Sequence, residues 1–452
     1  MIDIAVIGVG NRSRKYLQCL PEGVRVAYLV EPEPLRLEQA ASRYGVPSSC
    51  CFSNADDFFA ASPSVGAVII AAPDRLHVPL ALRSVRRGWH VLLEKPVAGC
   101  EKDYLELMDA SAKAGVHVGV CLEMRFHPYF RRIKEIYDSG VLGRVLSIDH
   151  TEHVGPDRMA HTFVRGLWSR VQDSGPIFLS KCCHDADFIL WLTGLAPVEV
   201  ASRGAVRRFR FDGSAPGRCI DCKRTDCPYS AESLYLERGE WTDGFDVPAG
   251  STLTEVIEEE LRHGRYGRCV YHCDNNVYDT QDVSVQLSGG VSLTMHLDGT
   301  SLLEGRSTVI RGTLGTLTAD GGIITVAPSG TVTPSDTVTP SDTVTQSVIS
   351  SEVEKSPCSS TPSVISSAVE KSPSPSVISS AAEKSPSPSV ISSEVEKSPS
   401  VEDYTALSGL PLHAGADRAI VEDFFASIAS GRAPSASLES AFQAHRLCWL
   451  AG

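Results

Sequence analysis

Short apolar runs recur at regular intervals through the first quarter of the chain. IAVIGV, VRVAYLVE, AVIIAAP, HVLLEKP and VHVGVC all fall within residues 2–121. Runs this short and this continuous fit strands buried on both faces. Between them lie stretches with helical spacing, such as EPLRLEQAASRYG and CEKDYLELMDASAKAG. Strand–helix alternation at this interval predicts an α/β fold, a doubly wound parallel sheet of Rossmann type, over residues 1–122.

Beyond Arg125 the pattern changes. FHPYFRRIKEIYDSG keeps a helical period, with Arg131, Arg132 and Lys134 on its polar side. RVLSIDHTEH, VEVASRGAVRRF, VSVQLSG, VSLTMHLDG and STVIRGTLGTLTAD alternate apolar and polar positions. That is the signature of a sheet with one covered face. It predicts a second α/β domain with a large, mainly antiparallel open sheet over 123–330 and 401–452. The C-terminal segments GADRAIVEDFFASIASG and SLESAFQAHRLCWLAG return to helix.

Residues 331–400 break both patterns. TVTPSD occurs twice in succession, and SVISS recurs from Ser347, Ser363, Ser376 and Ser389. The tract holds no aromatic residue. Ser/Pro units with so little apolar content cannot build a core, so a disordered insertion in a sheet-edge loop is expected. A modified or partner-binding repeat is the sharper alternative.

The composition narrows the class. A chain of 452 residues, 42% hydrophobic, is long enough for two cores. No apolar run approaches the ~20 residues that span a bilayer. The first residues, MIDIAVIGVG, run straight into a strand without a basic region, so no signal peptide is expected and a cytoplasmic location is. A formal net charge of −13 argues against a nucleic-acid partner. Fourteen cysteines in this setting read as thiols or metal ligands rather than disulfides.

Two cysteine groups stand out. GRCIDCKRTDCPYS spaces Cys219, Cys222 and Cys227 like a zinc knuckle. The fourth ligand would have to come from Cys269, Cys273 or a nearby histidine. A structural zinc remote from the chemistry is one reading; free thiols or a redox disulfide are the others. In SKCCHD, Cys182 and Cys183 are adjacent and face apart, so that stretch alone does not chelate an ion.

In IAVIGVGNRS, Gly8 and Gly10 follow the first strand and open a helix, as a pyrophosphate turn requires. Ser13 replaces the third glycine of that fingerprint. Glu31, at the end of the second strand, is placed to bind ribose hydroxyls. Its charge would repel a 2′-phosphate, so NAD is favoured over NADP, although Arg12 and Arg36 leave NADP open.

HVLLEKPVA, with Glu94, Lys95 and Pro96, adds a more specific signal. Together with GVGNRS, AAPDRLH (Ala71 to His77) and MRFHPYFRRIKEI, it resembles the glucose–fructose oxidoreductase/inositol dehydrogenase (Gfo/Idh/MocA) family. Matching segments run through residues 1–325 and again through LPLHAGADRAIVEDFFASI. The resemblance implies NAD at the carboxyl edge of the first sheet, beside Gly8, Gly10, Asn11, Arg12, Glu31, Arg36, Ala72, Pro73, His77, Glu94 and Lys95. It implies a sugar or polyol substrate between the domains, with Arg125, His161, Arg165 and Lys181 on the substrate side. His150, Glu152 and His153 come from segments that would line the same cleft. Lys95 would contact both substrate and nicotinamide, with a cis peptide at Lys95–Pro96. The family's Asp and, four residues later, His correspond here to Ser180 and His184. His184 is therefore the candidate general base, without the carboxylate that would orient it.

The expected function is NAD(H)-dependent oxidation of a sugar or polyol hydroxyl, or reduction of the ketone. The alternatives are an NAD-retaining glycosidase working by transient oxidation and a non-catalytic nucleotide- and sugar-binding regulator. A homodimer or homotetramer is expected by family analogy.

Overall fold

The structure is a computed structural model that describes residues 1–328, 399–407 and 410–452. Apart from its last two residues, the repeat tract expected over 331–400 lies outside the described residues. The two sheets expected from the sequence are both present.

The first sheet holds β1 (Ile2–Ile7), β2 (Val24–Val30), β3 (Cys51–Phe52), β4 (Ala67–Ile70), β5 (His90–Leu93) and β6 (Val118–Val120). Their order is β3-β2-β1-β4-β5-β6 and every pair is parallel. All four residues of β4 and the last four of β1 are buried, which is why these strands read as unbroken apolar runs. The order reverses between β1 and β4, and there the carboxyl ends leave a crevice for a ligand.

The second sheet holds β7 (Val145–Val154), β8 (Pro197–Ala205), β9 (Thr280–Leu287), β10 (Ser292–Asp298), β11 (Glu304–Gly312), β12 (Gly315–Asp320), β13 (Ile323–Pro328) and β14 (Ser400–Asp403). The order is β14-β13-β12-β11-β7-β10-β9-β8, antiparallel except for β7 with β10. Buried and exposed residues alternate along β9 and β10, so one face is covered. Helices Pro128–Asp138 and Cys183–Thr193 supply residues to the core on that face. Among the described residues no helix is long and apolar enough to cross a membrane.

The C-terminal segment, expected wholly with the second sheet, divides. β14 pairs with β13. Helix Ala416–Ser430 instead sends Ile420, Val421, Phe424 and Phe425 into the core of the first sheet. Gly119 in β6 makes room for it: a Cβ there would lie 2.9 Å from the Phe424 ring. Helix Leu438–Ala451 spans both cores, with Leu438 and Ala441 in the first and Ala444, Leu447 and Cys448 in the second.

Phe424 is 1% exposed, and its ring lies where only glycine fits opposite. Phe424→Ala should cost about 3–5 kcal/mol of unfolding free energy. Denaturant unfolding checks this, and a loss below about 1 kcal/mol would mean the helix is not part of this core.

Candidate active site

The first β–α turn is shaped by two glycines with different duties. Gly8 has φ +85°, and a Cβ on it would lie 2.5 Å from the Ala71 carbonyl oxygen. It lets the first turn close onto the turn after β4 that holds Ala72 and Pro73. A Cβ on Gly10 would meet nothing within 4 Å, so this face of the turn is open. Helix Asn11–Leu17 starts here without a side-chain cap, leaving its first N–H groups for an anion. Glu31 is buried beside the turn and accepts hydrogen bonds from the backbone N–H of Val9 (2.8 Å) and Glu33 (3.1 Å). These features fit a dinucleotide.

Other residues expected at the cofactor have different tasks. His77 is buried, its ring nitrogens 2.7 Å from the Pro96 carbonyl and 2.8 Å from that of Ala72. It staples the turn after β4 to the turn after β5. Arg12 turns inward: Nε donates to Glu94 (2.9 Å), and Nη2 to Tyr16 (2.6 Å), Asp417 (2.9 Å) and Glu123. Asn11 and Arg36 are held by Asp243 and Asp246, from the long excursion between β8 and β9.

The Lys95–Pro96 peptide is cis. Lys95 is partly buried, and its Nζ donates to the Ser180 carbonyl at 2.9 Å. Burial works against its charge, but Cys183, Glu94, Asp74 and Glu123 outweigh it, so its pKa is raised and it stays a cation. His184 opens the next helix, Cys183–Thr193. Burial, with Lys95 and Arg306 nearby, holds its imidazole well below the usual range, so it is neutral and able to accept a proton. The Ser180 hydroxyl points back to its own chain, 3.4 Å from the Ile177 carbonyl, and offers His184 nothing.

A carboxylate from another part of the chain does approach His184. Glu123, in the turn after β6, brings Oε2 to 3.2 Å from His184 Nδ1, without hydrogen-bond alignment. Sequence reasoning missed Glu123. The available signal was its position directly after a buried strand, on the carboxyl edge of the sheet.

Residues expected on the substrate side scatter. Arg125 is locked to Asp187 by two hydrogen bonds (2.7 and 2.5 Å), and to Ser435 and Ser440. Arg165 is fully buried against the carbonyls of Arg268 and Tyr229. His161 stacks on Tyr266 and Trp241 and bonds the Tyr235 hydroxyl at 2.8 Å; burial lowers it to about 4. Lys181 pairs with Glu152 at 2.7 Å, close to the site. The register of the second sheet extends that pair. Arg306 lies opposite Glu152 and Thr308 opposite His150. Arg306 forms an ion pair with Glu152 (2.8 Å) and donates to Asp185 (2.5 Å), and His150 lies 3.0 Å from Asp185 and 2.9 Å from Thr308. His153, on the opposite face, faces Asp298 instead.

The zinc expectation at Cys219, Cys222 and Cys227 is not supported. Cys219 Sγ lies 3.4 Å from the Arg165 guanidinium, a cation where a metal would need open space. Among the described residues, the one trio of metal-capable side chains close enough to share an ion is Glu123, His413 and Asp417. Arg12 Nη2 already bonds both of those carboxylates.

Comparison with known proteins agrees with this layout. The family model described as "Oxidoreductase family, NAD-binding Rossmann fold" matches residues 2–122, and the "GFO/IDH/MocA C-terminal domain" matches 130–226. The YteT protein of Bacillus subtilis is 28% identical over 265 residues, 55% of this chain and 58% of that protein. The chain thus spans little more than half the length of that relative. Inositol 2-dehydrogenase 4 of Saccharopolyspora erythraea is 28% identical over 303 residues, covering 66% and 77%. Among solved structures, an oxidoreductase from Agrobacterium radiobacter in complex with NAD+, L-tartaric acid and magnesium shares the fold. Its TM-score is 0.59 at 13% identity, covering 99% of this chain and 94% of that one.

One further contact braces the Lys95 turn. His445, fully buried, accepts the Val97 N–H at Nε2 (3.0 Å). Its Nδ1 lies 3.0 Å from the Ala441 carbonyl. Burial lowers its pKa from 6.5 to about 4. Between those values the unfolded chain binds a proton that the folded chain refuses, so this stability is present above pH 6.5 and lost as pH falls toward about 4. His445→Gln should therefore lose about 2 kcal/mol less stability than the parent between pH 7 and pH 5, as urea unfolding would measure.

Proposed function

Because the chain belongs to the GFO/IDH/MocA oxidoreductase family, we propose that it is an NAD-dependent dehydrogenase of sugars, polyols or their derivatives. It would oxidise a hydroxyl or reduce the matching ketone. One observation carries the reading: Lys95 Nζ, from the first sheet, bonds the Ser180 carbonyl one turn before His184. A cation and a neutral imidazole thus meet at the carboxyl edge of a dinucleotide fold. The inositol dehydrogenases among the relatives support a polyol-like substrate.

The Gly8–Gly10 turn, Glu31 and the Ala72–Pro73 turn would hold NAD. Bound NAD would supply the hydride acceptor. Lys95 would hold the substrate oxygen and favour its alkoxide character as hydride leaves. His184, neutral, would take the hydroxyl proton. Glu123 is a positioning residue: it faces Nδ1 and stabilises the imidazolium that proton transfer creates.

A panel of sugars and polyols assayed with NAD+, followed by reduced-nicotinamide absorbance, tests the function. Cleavage of aryl glycosides without added NAD, and no redox turnover, would point to the glycosidase reading instead. In the active assay, Lys95→Ala and His184→Ala should each lower kcat by about 10²–10⁴-fold while folding and NAD binding persist. Full activity in either variant removes that residue from the mechanism. Glu123→Gln should move the acidic limb of the kcat–pH profile to lower pH, because the imidazolium loses its counter-charge. An unmoved profile would leave Glu123 a packing role only.

A further inference from the structure

The excursion between β8 and β9 reaches across to the first sheet. There it grips the residues around the nucleotide turn. Asp243 accepts from Asn11 Nδ2 at 2.7 Å, and the Val247 carbonyl accepts from Gln39 Nε2 at 3.1 Å. Between them stands Asp246, mostly buried. One of its oxygens accepts from Arg14 Nη2 at 2.7 Å, and the other from Arg36 Nε and Nη2 at 3.0 and 2.7 Å.

One of these two arginines lies beside Glu31. Arg36 Nη1 lies 3.5 Å from Glu31 Oε1. A ribose held by Glu31 would therefore present its 2′ position beside Arg36. Arg36 is the kind of side chain that accommodates a 2′-phosphate in NADP-binding proteins. In this chain its fork is already filled by a carboxylate. A phosphate arriving there would have to displace Asp246 from two guanidiniums or sit beside its charge.

We propose that Asp246 is a cofactor-selectivity residue, closing the 2′-phosphate site by occupying Arg14 and Arg36 and so setting the preference for NAD over NADP. The proposal rests on the NAD-dependent reading above. Selectivity here combines two devices on different elements: Glu31 attracts ribose hydroxyls, and Asp246 repels the phosphate that would replace one of them.

The test is equilibrium titration of the full chain with NAD+ and with NADP+, by calorimetry. Asp246→Asn keeps the shape and removes the charge. The ratio of NADP+ affinity to NAD+ affinity should rise about tenfold, the scale of one screened charge contact. Adding Arg36→Ala to that variant should abolish the gain. An unchanged ratio in Asp246→Asn, when the parent binds NAD+, overturns this proposal and leaves the cofactor reading standing. A gain that survives Arg36→Ala overturns it as well, since the phosphate would then be seated elsewhere. If the parent binds neither nucleotide, the cofactor reading itself fails and takes this one with it.

Discussion

A carboxylate taken out of water needs a cation or several donors beside it, and the carboxyl edge of the first sheet gathers three such groups around one guanidinium. Arg12 bonds Glu94, Glu123 and Asp417. The carboxylates come from the end of β5, the turn after β6 and a helix near the C-terminus, so with its own first helix one side chain ties together four distant stretches of chain. Glu94 also accepts from Tyr16 (2.5 Å) and from the Lys95 N–H (3.0 Å), which sets the start of the cis turn. Asp417 can be there only because helix Ala416–Ser430 packs behind the first sheet. The core contacts of Phe424 and the charge balance at the site are one arrangement.

The second sheet meets this edge with its own satisfied charges. Placing His150 and Glu152 on the covered face of β7, among Ile148 and Val154, would be costly in isolation. Strand register supplies the remedy by setting Arg306 and Thr308 directly opposite. Lys181 and Asp185, from the helical segment carrying His184, complete the network. That segment is therefore held by ion pairs on one side and by Lys95 on the other. The result is a segment whose polar groups are fixed by paired charges before any ligand arrives.

Much of this was legible in the sequence, and the boundary is physical. Strands buried on both faces announce themselves as apolar runs, and alternation exposed the one-sided second sheet. Gly8 and Glu31 were readable because a turn and a strand end fix them locally. What failed to show were contacts set by distant packing. The family motif drew attention to the serine at 180, but Glu123 lies 57 positions earlier, a separation read directly from the numbering. Arg12 looked like a phosphate ligand because its helix starts at the nucleotide turn, yet nothing local foretold three carboxylates on its inner side. Arg125 and Arg165 looked like substrate ligands, but Asp187 engages the first, and the carbonyls of Tyr229 and Arg268 hold Nη2 and Nε of the second. The cysteine spacing around 219–227 is compatible with zinc, but spacing says nothing of the guanidinium that Arg165 brings to Cys219.

The same charge balance singles out Glu123. One guanidinium cannot hold three carboxylates equally. Burial raises all three, but Arg12 and Lys95 pull Glu94 below the ordinary carboxylate range. The His413 hydrogen bond and Arg12 do the same for Asp417. For Glu123, burial and the repulsion of Glu94 and Asp417 prevail over Arg12, and its pKa is raised. The carboxyl group least able to keep its charge is thus the one that faces His184. Burial, with Lys95 alongside, lowers the imidazole at the same time. Burial thus pushes this carboxyl up and the facing imidazole down, drawing their proton affinities closer together. In this chain position 180 meets Lys95 through its backbone carbonyl, and the carboxylate that faces His184 is Glu123, itself paired with Arg12.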